Sequence, residues 1–175
     1  MTLKCYHDGI VGDRNVRCYA FASPKVYTLL DDAPEKCKEA IANTINYIHD
    51  DDCVSFLSGY NVRKLLQSLR AVGEAERSLF HRIRLLTDKK ELTQELIDAV
   101  ERAVAEPLSD IEGAPQLYIP AEKIIWMRGS TDAGYKAYLY KPEDLPEGIH
   151  VDRDMLVDHF CSFYEEAFAT LTNDL

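Results

Sequence analysis

Apolar and polar residues alternate across residues 2 to 8, where Thr2, Lys4 and Tyr6 interleave with Leu3, Cys5 and His7, and again across 15 to 22. Gly9, Gly12, Asp13 and Asn15 supply turn chemistry between the two runs, so the pattern predicts an N-terminal β-hairpin. Residues 25 to 30, after Pro24, fit either a third short strand or a turn into the next element. From Asp32 and Pro34 the spacing changes to that of a helix. Cys37, Ile41, Ile45 and Ile48 recur at three to four residues, which predicts one helix running to Asp50 with an N-cap at Asp32. On that reading Asp50, Asp51 and Asp52 sit at the helix C-terminus, where the macrodipole disfavours negative charge.

A short helix is expected over 53 to 57, closed by Ser58 and Gly59. Val62, Leu65, Leu66, Leu69 and Val72 then hold one stripe that Leu79, Phe80, Ile83 and Leu86 resume, predicting a long helix interrupted near Gly73. Thr93 caps a further helix carrying Leu96, Ile97, Val100 and Val104, which ends before Pro107. Aromatic and β-branched residues dominate 116 to 119, 124 to 128 and 135 to 140, and residues 129 to 134 form the connecting loop of a second hairpin. Asp152 is expected to cap a last helix with Met155, Leu156, Phe160, Phe163, Tyr164, Ala167, Phe168 and Leu171 on its inner face. Strands, a helical block, strands and one helix lack regular βαβ alternation. They predict a single α+β domain over residues 1 to 175: an antiparallel sheet, built from N-terminal and C-terminal hairpins, packed against four to five helices.

The composition is globular, with 46% hydrophobic and 29% charged residues, and the net charge of -10 repels nucleic-acid phosphates and anionic membranes. Charge is uneven along the chain. Residues 61 to 90 carry eight basic and three acidic side chains, whereas 91 to 175 carry six basic and eighteen acidic. The five cysteines are odd in number and widely spaced, which argues against a disulfide framework or a zinc ribbon and predicts free thiols in a reducing cytoplasm. The first residues lack the basic and apolar regions of a signal peptide, so the chain is expected to stay where it is made.

The stretch His49-Asp50-Asp51-Asp52-Cys53 offers ligands for a divalent ion, yet it has no second ligand group at a recognised spacing and does not match an EF-hand. We read it as a solvated helix terminus, with no metal and no cofactor expected. Cys5 with His7, and His159 with Cys161, are local thiol and imidazole pairs, but the second pair diverges on a helix. No GxSxG, HExxH, GxxxxGK[ST] or GxGxxG pattern occurs. The expected surface for a partner is the second hairpin and the loop after it. There Trp126, Tyr138 and Tyr140 would form an aromatic platform anchored by Arg128, and Glu143 and Asp144 would add negative charge. These features predict a non-enzymatic acidic protein that binds, inhibits or scaffolds a more basic protein, alone or as a homo-oligomer. The alternative is a small enzyme with a nonstandard Cys/His/Asp site.

Overall fold

A computed structural model describes residues 9–10, 16–28, 33–75, 93–106, 108, 116–130, 132–151 and 154–173. The expected strand at 2 to 8, the helical stripe at Leu79 to Leu86, residues 29 and 30 of the 25 to 30 segment and the cap at Asp152 lie outside these residues, and the first helix is capped at Pro34 rather than Asp32. Two compact units hold the described chain: one from Met1–Leu57, Gln116–Pro146 and His150–Leu175, the other from Ser58–Pro115 and Glu147–Ile149.

In the first unit, β1 (Cys18–Phe21), α1 (Glu35–Ala42) and β2 (Thr44–His49) are followed by a short 3-10 turn at Cys53–Phe56. After the second unit the chain returns as β3 (Lys123–Ser130), β4 (Gly134–Tyr140) and α4 (Cys161–Asn173). The four strands form one mixed sheet in the order β1-β2-β3-β4, with β1/β2 and β2/β3 parallel and β3/β4 antiparallel. This corrects the expected antiparallel sheet of two hairpins with its four to five helices; four α-helices occur among the described residues. The physical reason is the connection. A helix lies between β1 and β2, and a crossover of that kind returns the chain parallel, whereas a tight turn would reverse it. The C-terminal hairpin stands as expected, closing at Gly134 opposite Ser130. At Gly129, with φ of 146°, an added Cβ would come within 2.2 Å of the Gly134 carbonyl oxygen, so the hairpin end requires glycine.

The predicted first helix stops at Ala42, and Ile45 and Ile48 belong to β2. Their helical spacing was coincidental. A strand covered on both faces reads as an almost continuous apolar run rather than an alternation. Thr44, Ile45 and Ile48 are β-branched and fit the pleated backbone. Thr44 Oγ1 donates to the Ala40 carbonyl at 2.7 Å, closing the helix as the strand begins.

Met127 on β3 is fully buried and packs with Ala22, Tyr135, Tyr164 and Ala167, flanked by Tyr47, Ile125, Phe168 and Leu171. This is the face that α4 covers. Asn46, Ile48 and Ile124 are fully buried on the opposite face, where Trp126 packs its ring 5.6 Å from that of Phe56. The final helix begins at Cys161, not near Asp152, so Met155, Leu156 and Phe160 precede it in a run of turns. Tyr164 and Ala167 are its buried residues; Phe163, Phe168 and Leu171 are half-buried.

In the second unit, α2 (Gly59–Ala75) runs without interruption through Gly73 and packs against α3 (Gln94–Ala105). Thr93 caps α3 as expected, its hydroxyl accepting from the Leu96 amide at 3.4 Å. The Lys64 ammonium of α2 donates to the Val104 and Glu106 carbonyls at the end of α3, where a helix leaves its carbonyls unpaired. Among the described residues no helix is long and apolar enough to cross a membrane.

Met127→Ala removes a fully buried side chain from the face under α4 and should lower unfolding free energy by about 2–5 kcal/mol in urea titrations.

Candidate functional site

The site forms where β2 ends. Six successive amides from His49 to Val54 each have an acceptor, which fixes the acidic turn in one conformation. The His49 amide donates to the Tyr164 hydroxyl at 3.1 Å, and the Asp50 amide to the Met127 carbonyl at 2.8 Å. The Asp51 amide donates to Asp158 Oδ2 at 3.2 Å, and the Asp52 amide to the His49 carbonyl at 2.9 Å. The Cys53 amide reaches the Met155 carbonyl at 3.2 Å, and the Val54 amide reaches Asp52 Oδ1 at 2.9 Å. Asp50 takes the left-handed region with φ of 38°, and Ala22, just beyond the end of β1, has φ of 48°. Such backbone is rare outside glycine and concentrates at functional positions. Both residues lie at the carboxyl ends of parallel strands, where sites in such sheets collect.

Asp52 is fully buried, and its carboxylate accepts three hydrogen bonds: the Val54 amide, the Tyr164 hydroxyl at 2.8 Å and His159 Nδ1 at 3.1 Å. The Tyr164 hydroxyl accepts from the His49 amide, so its single proton goes to Asp52. Burial first, then the Asp52 charge, pushes the Tyr164 hydroxyl well above the ordinary tyrosine value. His159 stands on the turn before α4 with 46% of its side chain exposed, one ring edge on Asp52 and the imidazole otherwise open. Nε2 of His159 has no hydrogen bond to a described residue.

His49 is buried beside this pair. Its Nε2 is hydrogen-bonded with the Tyr135 hydroxyl at 3.2 Å, and its Nδ1 lies 3.5 Å from Asp158 Oδ1 without hydrogen-bond geometry. The rings of Tyr135, Phe163 and Tyr164 surround it. Burial raises the Asp158 carboxyl above its usual range, against the opposing pull of the Asp51 amide and His49. The outer carboxylates face Arg128 and His150: Asp51 meets Arg128 Nη2 at 3.3 Å and His150 Nδ1 at 3.1 Å, and Asp50 lies 3.7 Å from Arg128 Nε. Among the described residues no group of three or more His, Cys, Asp or Glu is placed to hold a metal ion. The turn is thus an interior junction, not the solvated helix terminus the sequence suggested.

The thiols fall away from this chemistry. Cys53 is buried, and burial followed by the Asp52 charge pushes its thiol up, which disfavours the thiolate. Cys161 is exposed on the first residue of α4, and the contacts of His159 run to Asp52. Cys5 and His7 lie outside the described residues. Cys18, Cys37, Cys53 and Cys161 are free thiols.

The expected partner surface is only partly brought together. Register places Trp126 opposite Tyr138, Ile124 opposite Tyr140 and Arg128 opposite Lys136, all on one sheet face. Trp126 is buried, its indole donating to the Asp50 carbonyl at 2.6 Å, with Arg128 stacked 5.1 Å over the ring and Tyr140 beside it at 5.7 Å. Trp126 and Arg128 therefore brace the acidic turn. Tyr138 is exposed and Tyr140 half-buried, and Glu143 and Asp144 are exposed on a 3-10 turn after β4. Reasoning from sequence missed the pairing of Asp52 with His159, which are separated by 107 positions. The one local signal was the run Asp50 to Asp52 itself, since three carboxylates are unfavourable at a helix C-terminus.

Comparison with known protein families, with curated proteins and with solved structures finds no match for this chain.

Tyr164→Phe removes a donor from buried Asp52 and the acceptor of the His49 amide, and should cost about 1–3 kcal/mol in urea titrations at neutral pH. A folded tyrosine value raised above 10.0 also sets a direction. The stabilisation is complete below the unfolded value and is lost as pH rises through the folded one, so stability should fall above about pH 10. Tyr164→Phe should make that fall shallower without abolishing it, because burial raises Tyr47 and Tyr135 in the same direction.

Proposed function

We propose that Asp52 and His159 are the orienting carboxylate and the general base of a hydrolytic or acyl-transfer site. The observation that carries this reading is the 3.1 Å contact between Asp52, fully buried, and Nδ1 of a half-exposed imidazole. A carboxylate on Nδ1 fixes the proton there, leaves the Nε2 lone pair as the base and stabilises the imidazolium that forms during reaction. The Val54 amide and the Tyr164 hydroxyl hold Asp52 from behind, so the carboxylate is itself oriented. His159 Nε2 removes the proton of an attacking hydroxyl as its oxygen bonds to the substrate carbonyl, and returns that proton to the leaving group. The attacking hydroxyl is that of water or of a serine, which the labelling below separates. Leu156, Val157 and Phe160 are exposed apolar side chains in the same turns as His159, and esters of differing acyl length test whether they meet a substrate.

Hydrolysis of p-nitrophenyl esters of increasing chain length tests the reading. His159→Ala and Asp52→Asn should each lower kcat/KM by a hundredfold or more, roughly the worth of a positioned general base. Labelling by a fluorophosphonate separates a serine nucleophile from water. Equal rates for the parent and His159→Ala would reject the assignment.

A second reading, binding of a more basic protein, draws on Tyr138 and Leu139, exposed on β4 at the edge of the sheet, and on Glu143 and Asp144 just after it. Exposed charges act mainly on the rate of association and are screened within about 8 Å at physiological salt. For a partner captured from the native cell, rising salt and the pair Glu143→Lys and Asp144→Lys should each slow association, with stability changed by no more than about 0.5 kcal/mol. An association rate indifferent to both would leave the acidic surface a matter of solubility.

A further inference from the structure

His159 has no helix to hold it. It lies in the turns Asp154 to Phe160, where the Val157 and Asp158 amides donate to the Asp154 carbonyl at 2.8 and 2.9 Å and α4 starts only at Cys161. A half-exposed imidazole on such a segment keeps its hydrogen bond to Asp52 only if the backbone beneath it is fixed. The Met155 carbonyl, accepting from the Cys53 amide at 3.2 Å, holds the start of these turns, and Asp158, directly beside His159, holds their far end. Asp158 directs Oδ2 to the Asp51 amide at 3.2 Å and Oδ1 towards His49 Nδ1 at 3.5 Å, while His159 grips Asp52. His49 is buried, with the rings of Tyr135, Phe163 and Tyr164 around it.

We propose that Asp158 is a positioning residue: its carboxylate clamps the turn bearing His159 to the Asp51 amide, and so sets the Asp52–His159 distance. Two consecutive side chains hold the same acidic turn at adjacent points, which fixes the position and the direction of the peptide between them. The catalytic consequence rests on the general-base reading above; the geometric one does not. A displacement of about 1 Å at a base lowers rates by as much as a hundredfold, so loosening this clamp shows first in kcat.

The experiment compares the full chain with Asp158→Ala and Asp158→Asn. Proton NMR follows the downfield imidazole N–H resonance assigned to His159 by its loss in His159→Ala. Asp158→Ala should shorten the solvent-exchange lifetime of that proton roughly tenfold, the scale of one lost hydrogen bond, and lower kcat by a similar factor with KM little changed. Asp158→Asn keeps an oxygen for the Asp51 amide and should retain both within about twofold of the parent. An unaltered lifetime in Asp158→Ala overturns the proposal, and so does equal loss in both variants with equal falls in Tm, which marks a merely structural residue. If Asp158→Ala does not fold, hydrogen exchange in the parent decides: the Asp51 amide and the His159 ring proton should open together, and an Asp51 amide that opens while the ring proton stays protected overturns the clamp. Hydrolysis unchanged in His159→Ala, with the resonance still dependent on Asp158, locates the failure in the general-base reading alone.

Discussion

A carboxylate with no exposure to water must be met by donors or it destabilises the fold, and Asp52 meets that condition with three. Each donor comes from a different place. The Val54 amide closes the turn locally, the Tyr164 hydroxyl arrives from α4, and the His159 imidazole comes from the turns before that helix. Satisfying one buried group therefore ties the end of β2 to the last helix across more than 100 positions of chain. Tyr164 extends the tie, because the hydroxyl that donates to Asp52 also accepts from the backbone of His49.

The same demand explains the strain and the charge around the turn. Asp50 adopts a left-handed backbone in which its amide reaches Met127 and its carbonyl receives the Trp126 indole. Asp is one of the residues that tolerates this region. Arg128 then covers the outward carboxylates of Asp50 and Asp51 from β3, stacked on the tryptophan that holds the turn. Part of the acidity visible in the chain is thus held within this unit, Asp50 and Asp51 against Arg128 and Asp52 against the Tyr164 hydroxyl.

These constraints yield an asymmetric result at the two histidines. His49 is enclosed by aromatic rings and joined to Tyr135, which suits a structural role beside Asp158. His159 shares the neighbourhood but keeps one ring edge towards solvent, which is where a proton can be taken up and given back. Burial of Asp52 with exposure of His159 is the contrast on which the proposed general-base reading rests. The elevated Cys53 thiol leaves the sulfur beside Asp52 in its inert form.

Local elements were legible wherever a short-range rule sufficed. The Thr93 cap, the helix expected from Asn61, the short helix at Cys53 and the β3/β4 hairpin follow from side-chain capping, 3.6-residue periodicity and turn chemistry, which act within a few positions, although the helix starts two residues earlier at Gly59. Tertiary structure decided whether Ile45 and Ile48 were helical or extended, because their spacing satisfies a helix while their burial belongs to the inner strand of a parallel pair. It likewise moved the start of α4 to Cys161, since Met155 and Asp158 are drawn into contacts with the turn after β2 that no local pattern encodes. The residue types of the candidate site were visible as an acidic run and scattered histidines. Their pairing was not, because the partner of a buried carboxylate is set by which distant segment can deliver a donor to it.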